Sequence, residues 1–219
     1  MILVEYQRPD EYTLRRLKFT ASLIGENMLL LDVGCGRGLL SNFTKHREYV
    51  GLDISLDQLK SSMWLGSGKY YRVNASAVLL PFRDNVFELV VCTEVIEHLP
   101  RKFTEACISE VYRILKKGGT AVFSTPNIAY LYNRLRFLFK GELMGFEHEE
   151  HVQFFNYGRL RSMLEKAGFR EIRRHGFDVI MEPYNTITRL IFKIPWHIRS
   201  KIASVSPLFD QLLVVTARK

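Results

Sequence analysis

The sequence predicts an α/β fold, a mostly parallel sheet with helices on both faces. Three observations carry that expectation. Short apolar runs alternate with helix-spaced segments through the first part of the chain. The first run, MLLLD, breaks into glycines at alternate positions, Gly34, Gly36 and Gly38. The next run, YVGLD, also ends in an acid, Asp53. A buried parallel strand that enters a glycine turn is a common cradle for a nucleotide-like ligand.

The elements follow in order. Residues 10–25 read as an amphipathic helix, with Leu14, Leu17, Leu23 and Ile24 on one side. Arg15, Arg16 and Lys18 are expected on the opposite, solvated side. Strand one is 28–33, and a helix is expected from Leu39 to His46. Strand two is 49–54, and Ser55 caps a helix from Leu56 to Leu65. Residues 69–74 form strand three. Pro81 and Asp84-Asn85 mark a turn before strand four, 86–92. A helix is expected soon after Thr93 and another from Phe103 to Leu115, ended by a Gly118-Gly119 C-cap. Strand five, 120–125, stops at Pro126. A helix over 158–167 ends at Gly168 and leads to a strand over 169–176. The closing QLLVVTARK reads as a final strand. No repeat and no convincing domain boundary interrupts the chain, so residues 1–219 are expected to form one domain.

Composition narrows the class. With 219 residues, 47% hydrophobic and 25% charged, the chain is of ordinary globular make-up. Three cysteines, Cys35, Cys92 and Cys107, lie in or near apolar segments without metal spacing, which suits a reducing compartment. No signal peptide and no run of about 18 apolar residues is evident, so a cytoplasmic chain without a spanning helix is expected. The net charge is +8. The excess sits in the C-terminal half, at Arg113–Lys117, Arg134–Lys140, Arg159–Arg174 and Arg189–Lys201. Such charge suits RNA, anionic lipid or plain solubility.

The glycines read GxGxG and so lack the dinucleotide GxGxxG spacing. With Asp53, the LPFRDNVFELVV block and the LKKGGTAVFSTPN block in this order, residues 28–126 resemble class I S-adenosylmethionine (SAM) methyltransferases. A flavodoxin-like or dinucleotide-binding domain is the alternative. The resemblance implies a Rossmann-like, doubly wound, mostly parallel seven-stranded sheet with an antiparallel last strand, and substrate-side insertions at about 128–157 and 182–206. It implies cofactor contacts from Asp32, Gly34, Cys35, Gly36, Gly38, Asp53, Ile54, Asn74, Ala75 and Thr93. Asp53 would take the ribose hydroxyls, Asp32 would lie near the methionyl ammonium, and Ile54 would pack on the adenine. Asn74 stands where the family often has Asp, as does Glu88.

Glu94, Glu97 and His98 would share one face if the segment after Thr93 were helical. Two carboxylates and an imidazole so placed can bind a divalent cation or act as acid and base. His151, in EHEEHVQFF, is a further ligand or catalytic group. The layout resembles ubiquinone-pathway O-methyltransferases and small-RNA 2′-O-methyltransferases. By that resemblance Glu94, Glu97, His98 and His151 would hold Mg²⁺ or Mn²⁺, and Glu97, His98 and His151 would be catalytic. The aromatic and basic stretch 128–140 suits stacking on bases with phosphate contacts or an amphipathic helix on a membrane surface, and is expected to be a lid helix packed over the substrate. Residues 186–204 suit either a lid or a membrane-surface contact, with Trp196 as an interfacial anchor. The reading is methyl transfer to an oxygen of a small or lipid-like metabolite. The alternatives are a metal-assisted RNA 2′-O-methyltransferase and a non-catalytic SAM-binding regulatory protein. The oligomeric state is not encoded in any feature of the sequence.

Overall fold

A computed structural model describes residues 9–26, 28–61, 68–141, 150–179, 189–191 and 193–219. Seven strands form one sheet: β1 (Leu29–Val33), β2 (Glu48–Asp53), β3 (Lys69–Asn74), β4 (Phe87–Thr93), β5 (Leu115–Pro126), β6 (Arg170–Gly176) and β7 (Leu212–Arg218). Their order is β3-β2-β1-β4-β5-β7-β6. The first five pair in parallel, and β7 runs antiparallel to both β5 and β6. This is the expected architecture. Strand order reverses between β1 and β4, so the carboxyl ends of these strands open a crevice.

Helices cover both faces, which explains why the central strands read as unbroken apolar runs. Leu30, Leu31 and Val33 are buried, as are Val90, Val91 and Cys92. One face packs under α3 (Arg101–Ile114) and α5 (Tyr157–Ala167) through Ile108, Val111, Leu160 and Leu164. The other packs under α1 (Glu11–Ser22) through Leu17, with Tyr49, Val122 and Phe177. Local signals set the helix ends. Asp10 caps α1 by accepting from Thr13 N at 2.6 Å. Asn156 caps α5 at 2.8 Å, and Gly168 ends it at φ +104°. Glu88 is part of the frame: its carboxylate accepts from Leu29 N at 2.7 Å and from Arg47 and Lys116.

Several expectations change. The helix over 39–46 is a 3-10 turn, Leu39–Phe43. The helix after Ser55, α2, spans Leu56–Lys60, and residues 62–67 lie outside the described ones. Gly118 and Gly119 do not cap α3. β5 starts directly at Leu115 and carries both glycines across a register shift against β4, with Gly118 at φ +75°. Arg15 is not on a solvated face, because it pairs at 3.0 Å with Asp178, whose side chain is buried. Within the insertions, α4 spans Leu131–Lys140 and α6 spans Trp196–Val205. Residues 142–149 and 180–188 lie outside the described residues.

Candidate active site

Register brings the two acids of the motif to the crevice. Asp32 pairs with Gly51, and Asp53 pairs with Asn74, each at or near a strand's carboxyl end. The turn after β1 folds back onto β2: Gly34 N and Cys35 N both donate to Leu52 O, at 2.8 and 3.0 Å. Asp53 fixes the turn from the other side. Its Oδ2 accepts from Gly36 N and its Oδ1 from Ser55 N, both at 2.8 Å. A carboxylate has further lone pairs for a vicinal diol.

The turn also has room for a ligand. Gly36 sits at φ +52°, and a Cβ built there would meet nothing nearer than Gln58 Oε1 at 3.9 Å. Gly34, at φ +71°, is instead pressed onto Val95, so a side chain there would collide. Ile54 is 75% exposed beside the turn, an uncovered apolar surface suited to a planar base. This arrangement fits an adenosyl group. Asn74 and Ala75, expected at the adenine edge, also brace the turn. Asn74 Nδ2 donates to the carbonyls of Asp53 and Ile54, and Ala75 N donates to Asp53 O. They hold the turn. Thr93 ends β4, opposite Ser124 of β5.

Asp32 is buried, and Tyr49 donates a short hydrogen bond to it. Burial pushes its carboxyl up to about 7, against the Tyr49 bond and the charge of Arg16, which pull it down. Cys35 is raised mainly by burial and next by the charges of Asp32 and Asp53, so it is a thiol. Arg16 is a residue the sequence placed elsewhere. From α1 its charge reaches Asp32, Tyr12 and Glu97, and its buried Nε makes no hydrogen bond among the described residues. Its helical position gave no sign of this, because only the docking of α1 turns it inward.

Beyond β4 the chain does not form the expected helix. Glu94 adopts φ +56°, and a 3-10 turn covers Ile96–His98. Glu94 is turned toward β5, where its Oε1 accepts from Ser124 Oγ at 2.6 Å. Glu97 is buried, and its Oε2 accepts from Thr125 Oγ1 at 3.1 Å. Its Oε1 is buried without a hydrogen bond among the described residues. Burial, and next the charge of Glu94, push its carboxyl well above the usual range. The later histidine segment docks on this turn through Val152 N and Gln153 N, which donate to Glu97 O at 3.0 and 3.1 Å. His98 and His151 then stand edge to face, with ring centres 4.9 Å apart. Ligand atoms of Glu97, His98 and His151 lie within 4.8 Å of one another, and Glu94 is not in that set.

A doubly wound sheet with this order, a glycine turn tied to the acid that ends β2, and a polar cluster beyond the carboxyl end of β4 fit a SAM-dependent methyltransferase. Residues 4–173 match the model of the family described as methyltransferase domain, and the chain belongs to that family. An uncharacterized protein of Methanocaldococcus jannaschii is 38% identical over 102 residues, covering 47% of this chain and 42% of that relative. A ubiquinone biosynthesis O-methyltransferase of Nitrosomonas europaea is 29% identical over 197 residues, covering 85% of this chain and 81% of the relative. In fold, the chain is similar to the crystal structure of a SAM-dependent methyltransferase from Archaeoglobus fulgidus. That likeness has a TM-score of 0.65 at 21% identity and covers 97% of this chain and 96% of that one.

Proposed function

We propose that the chain methylates an oxygen of a small or lipid-like metabolite, with Asp53 and Ile54 binding the adenosyl end of SAM. The observation that supports this most is the Glu97, His98 and His151 cluster beside the crevice. When bound, SAM supplies an electrophilic methyl on sulfur. The chain's own groups do the rest. An imidazole nitrogen of His98 or His151 takes the acceptor hydroxyl's proton. Glu97 fixes the pair by receiving the amides that follow His151. Arg16 offers its guanidinium to the methionyl carboxylate, and Asp32 lies close to the methionyl ammonium. The quinone-pathway relative acts on an oxygen, which agrees with this reading.

A second reading is metal-assisted transfer, including to an RNA 2′-hydroxyl. It is favoured by the three clustered ligand atoms and by the unpartnered Glu97 Oε1. Glu97, His98 and His151 would hold Mg²⁺ or Mn²⁺, which would acidify a bound hydroxyl. Glu94, held by Ser124, would not be a ligand.

Residues 186–204 enter the lipid reading in modified form. Trp196 packs edge-on to Phe19 at 5.9 Å and lies 6.3 Å from Phe177, so it is no interfacial anchor. Arg199 is buried against Asp178 at 3.2 Å. Among the described residues no helix is long and apolar enough to cross a membrane. We place the enzyme in the cytoplasm at a membrane surface.

The test is labelled methyl transfer into cell extract, separated into lipid, RNA and small-molecule fractions, with and without EDTA. Label in the lipid or small-molecule fraction, unchanged by EDTA, is expected. Label in RNA that EDTA abolishes would replace the first reading with the second.

A further inference from the structure

The helix α4 is inside out. At about 100° per residue, Leu131, Leu135, Leu138 and Phe139 fall on one arc of the helix, while Asn133 and Arg136 fall on the opposite arc. The polar arc faces the protein: Asn133 is 2% exposed, and its Nδ2 donates to Ile128 O at 3.1 Å. The apolar arc faces out, with Leu138 and Phe139 74% and 79% exposed, and with Leu131 and Leu135 exposed as well. Phe137 is exposed too, but it lies about 100° round from Leu138, toward Asn133, and is not part of the ridge. A lid packed over substrate would present the reverse. Scattered surface leucines need no explanation, but a ridge of four large apolar side chains opposite a buried asparagine does.

The charge beside the ridge says what covers it. α4 holds no acid, and of its basic residues Arg134 flanks the ridge about 40° from Leu138, Lys140 ends the helix exposed, and Arg136 lies on the protein-facing arc. Arg134 also lines a cavity of about 270 Å³ together with Pro207 and Leu208, just past α6. The segment that follows α6 therefore lies on the Arg134 side of α4. Val205 and Leu208 are exposed there, and on α6 itself Ile198, Ile202 and Lys201 are exposed. Apolar ridges flanked by basic side chains match an anionic bilayer, whose headgroups meet the cations while its acyl boundary takes the leucines.

We propose that α4, extended by the exposed edge of α6, is a docking face for an anionic lipid surface. The proposal deepens the lipid-like acceptor reading, since α4 follows directly from the carboxyl end of β5, where the crevice opens. It moves the main contact from residues 186–204 to 131–140.

The experiment is flotation of the full chain with vesicles of phosphatidylcholine alone or mixed with phosphatidylglycerol. Binding to the mixed vesicles, weakened by salt, is expected. The double variant Leu138→Asp, Phe139→Asp should weaken it roughly tenfold or more, and Lys140→Glu roughly fivefold or more. S-adenosylhomocysteine affinity, measured by calorimetry, should stay unchanged in both, which shows that they fold. Equal binding to neutral and anionic vesicles, or no binding, would overturn the proposal. So would ridge variants that float like the parent, or a parent that instead self-associates through the ridge in sedimentation. The two ideas fail separately. Vesicle binding with label only in RNA removes the lipid-like acceptor and leaves the docking face. Label in lipid without vesicle binding does the opposite.

Discussion

The two sides of the crevice are built in different ways. On the cofactor side, neighbours in strand register hold one another. Asp53 binds Gly36 N and Ser55 N, and Asn74, its partner on β3, returns two bonds to the same turn. On the acceptor side, distant segments meet. Residues 152 and 153 dock on Glu97, Gln153 binds Leu99 and Thr104, and Arg159 donates to Gln153. A site fixed by strand register tolerates little change. A site assembled by docking can exchange its side chains, and with them its acceptor, while the sheet stays intact. The two sides should therefore fail independently.

The largest break is expected at Asp53. Asp53→Ala removes the acceptor for a ribose diol and frees the Gly36 amide. Binding of S-adenosylhomocysteine should weaken roughly a hundredfold or more by calorimetry. Unchanged affinity would mean that the ribose sits elsewhere. His151→Ala tests the other side. Turnover should fall on the order of a hundredfold, while S-adenosylhomocysteine affinity stays within roughly twofold. A parallel loss of cofactor affinity would show that the two sides are one unit.

A smaller effect sharpens the cofactor side. Asp32 is raised to about 7 from 3.8 by burial. A carboxyl raised on folding contributes stability that is full below about pH 4 and is lost as the pH climbs to about 7. Asp32→Asn keeps the shape and an acceptor for Tyr49 but removes this titration. The variant should gain on the parent, by on the order of a few kcal/mol at most, between about pH 4 and about pH 7 in urea unfolding. Glu88 and Glu110, held low by hydrogen bonds from Leu29 N and Arg113, run in the opposite sense. Both are common to parent and variant and cancel in the difference. A difference that does not change with pH would deny that Asp32 is neutral in the fold near pH 6.

The same contrast decides what the sequence disclosed. The glycine turn and Asp53 were legible because local spacing and strand ends determine them. The segment after Thr93 was misread because helical spacing assumes helical dihedrals, and Glu94 at φ +56° breaks the repeat. Gly118 and Gly119 looked like a cap because glycine serves bulged strands as well as helix ends. Arg16 and α4 share a reason: an amphipathic pattern defines two faces of a helix without saying which one is covered. For α1 the docking buried part of the basic face, and for α4 it left the apolar face outward.

The central claim is that the turn after β1 and the acid ending β2 hold the adenosyl group. The direct measurement is a crystal structure with S-adenosylhomocysteine. The account predicts both ribose hydroxyls on the Asp53 carboxylate, adenine against Ile54 and the ligand backbone passing over Gly36. A ligand bound elsewhere, with Asp53 touching only Gly36 and Ser55, would contradict it.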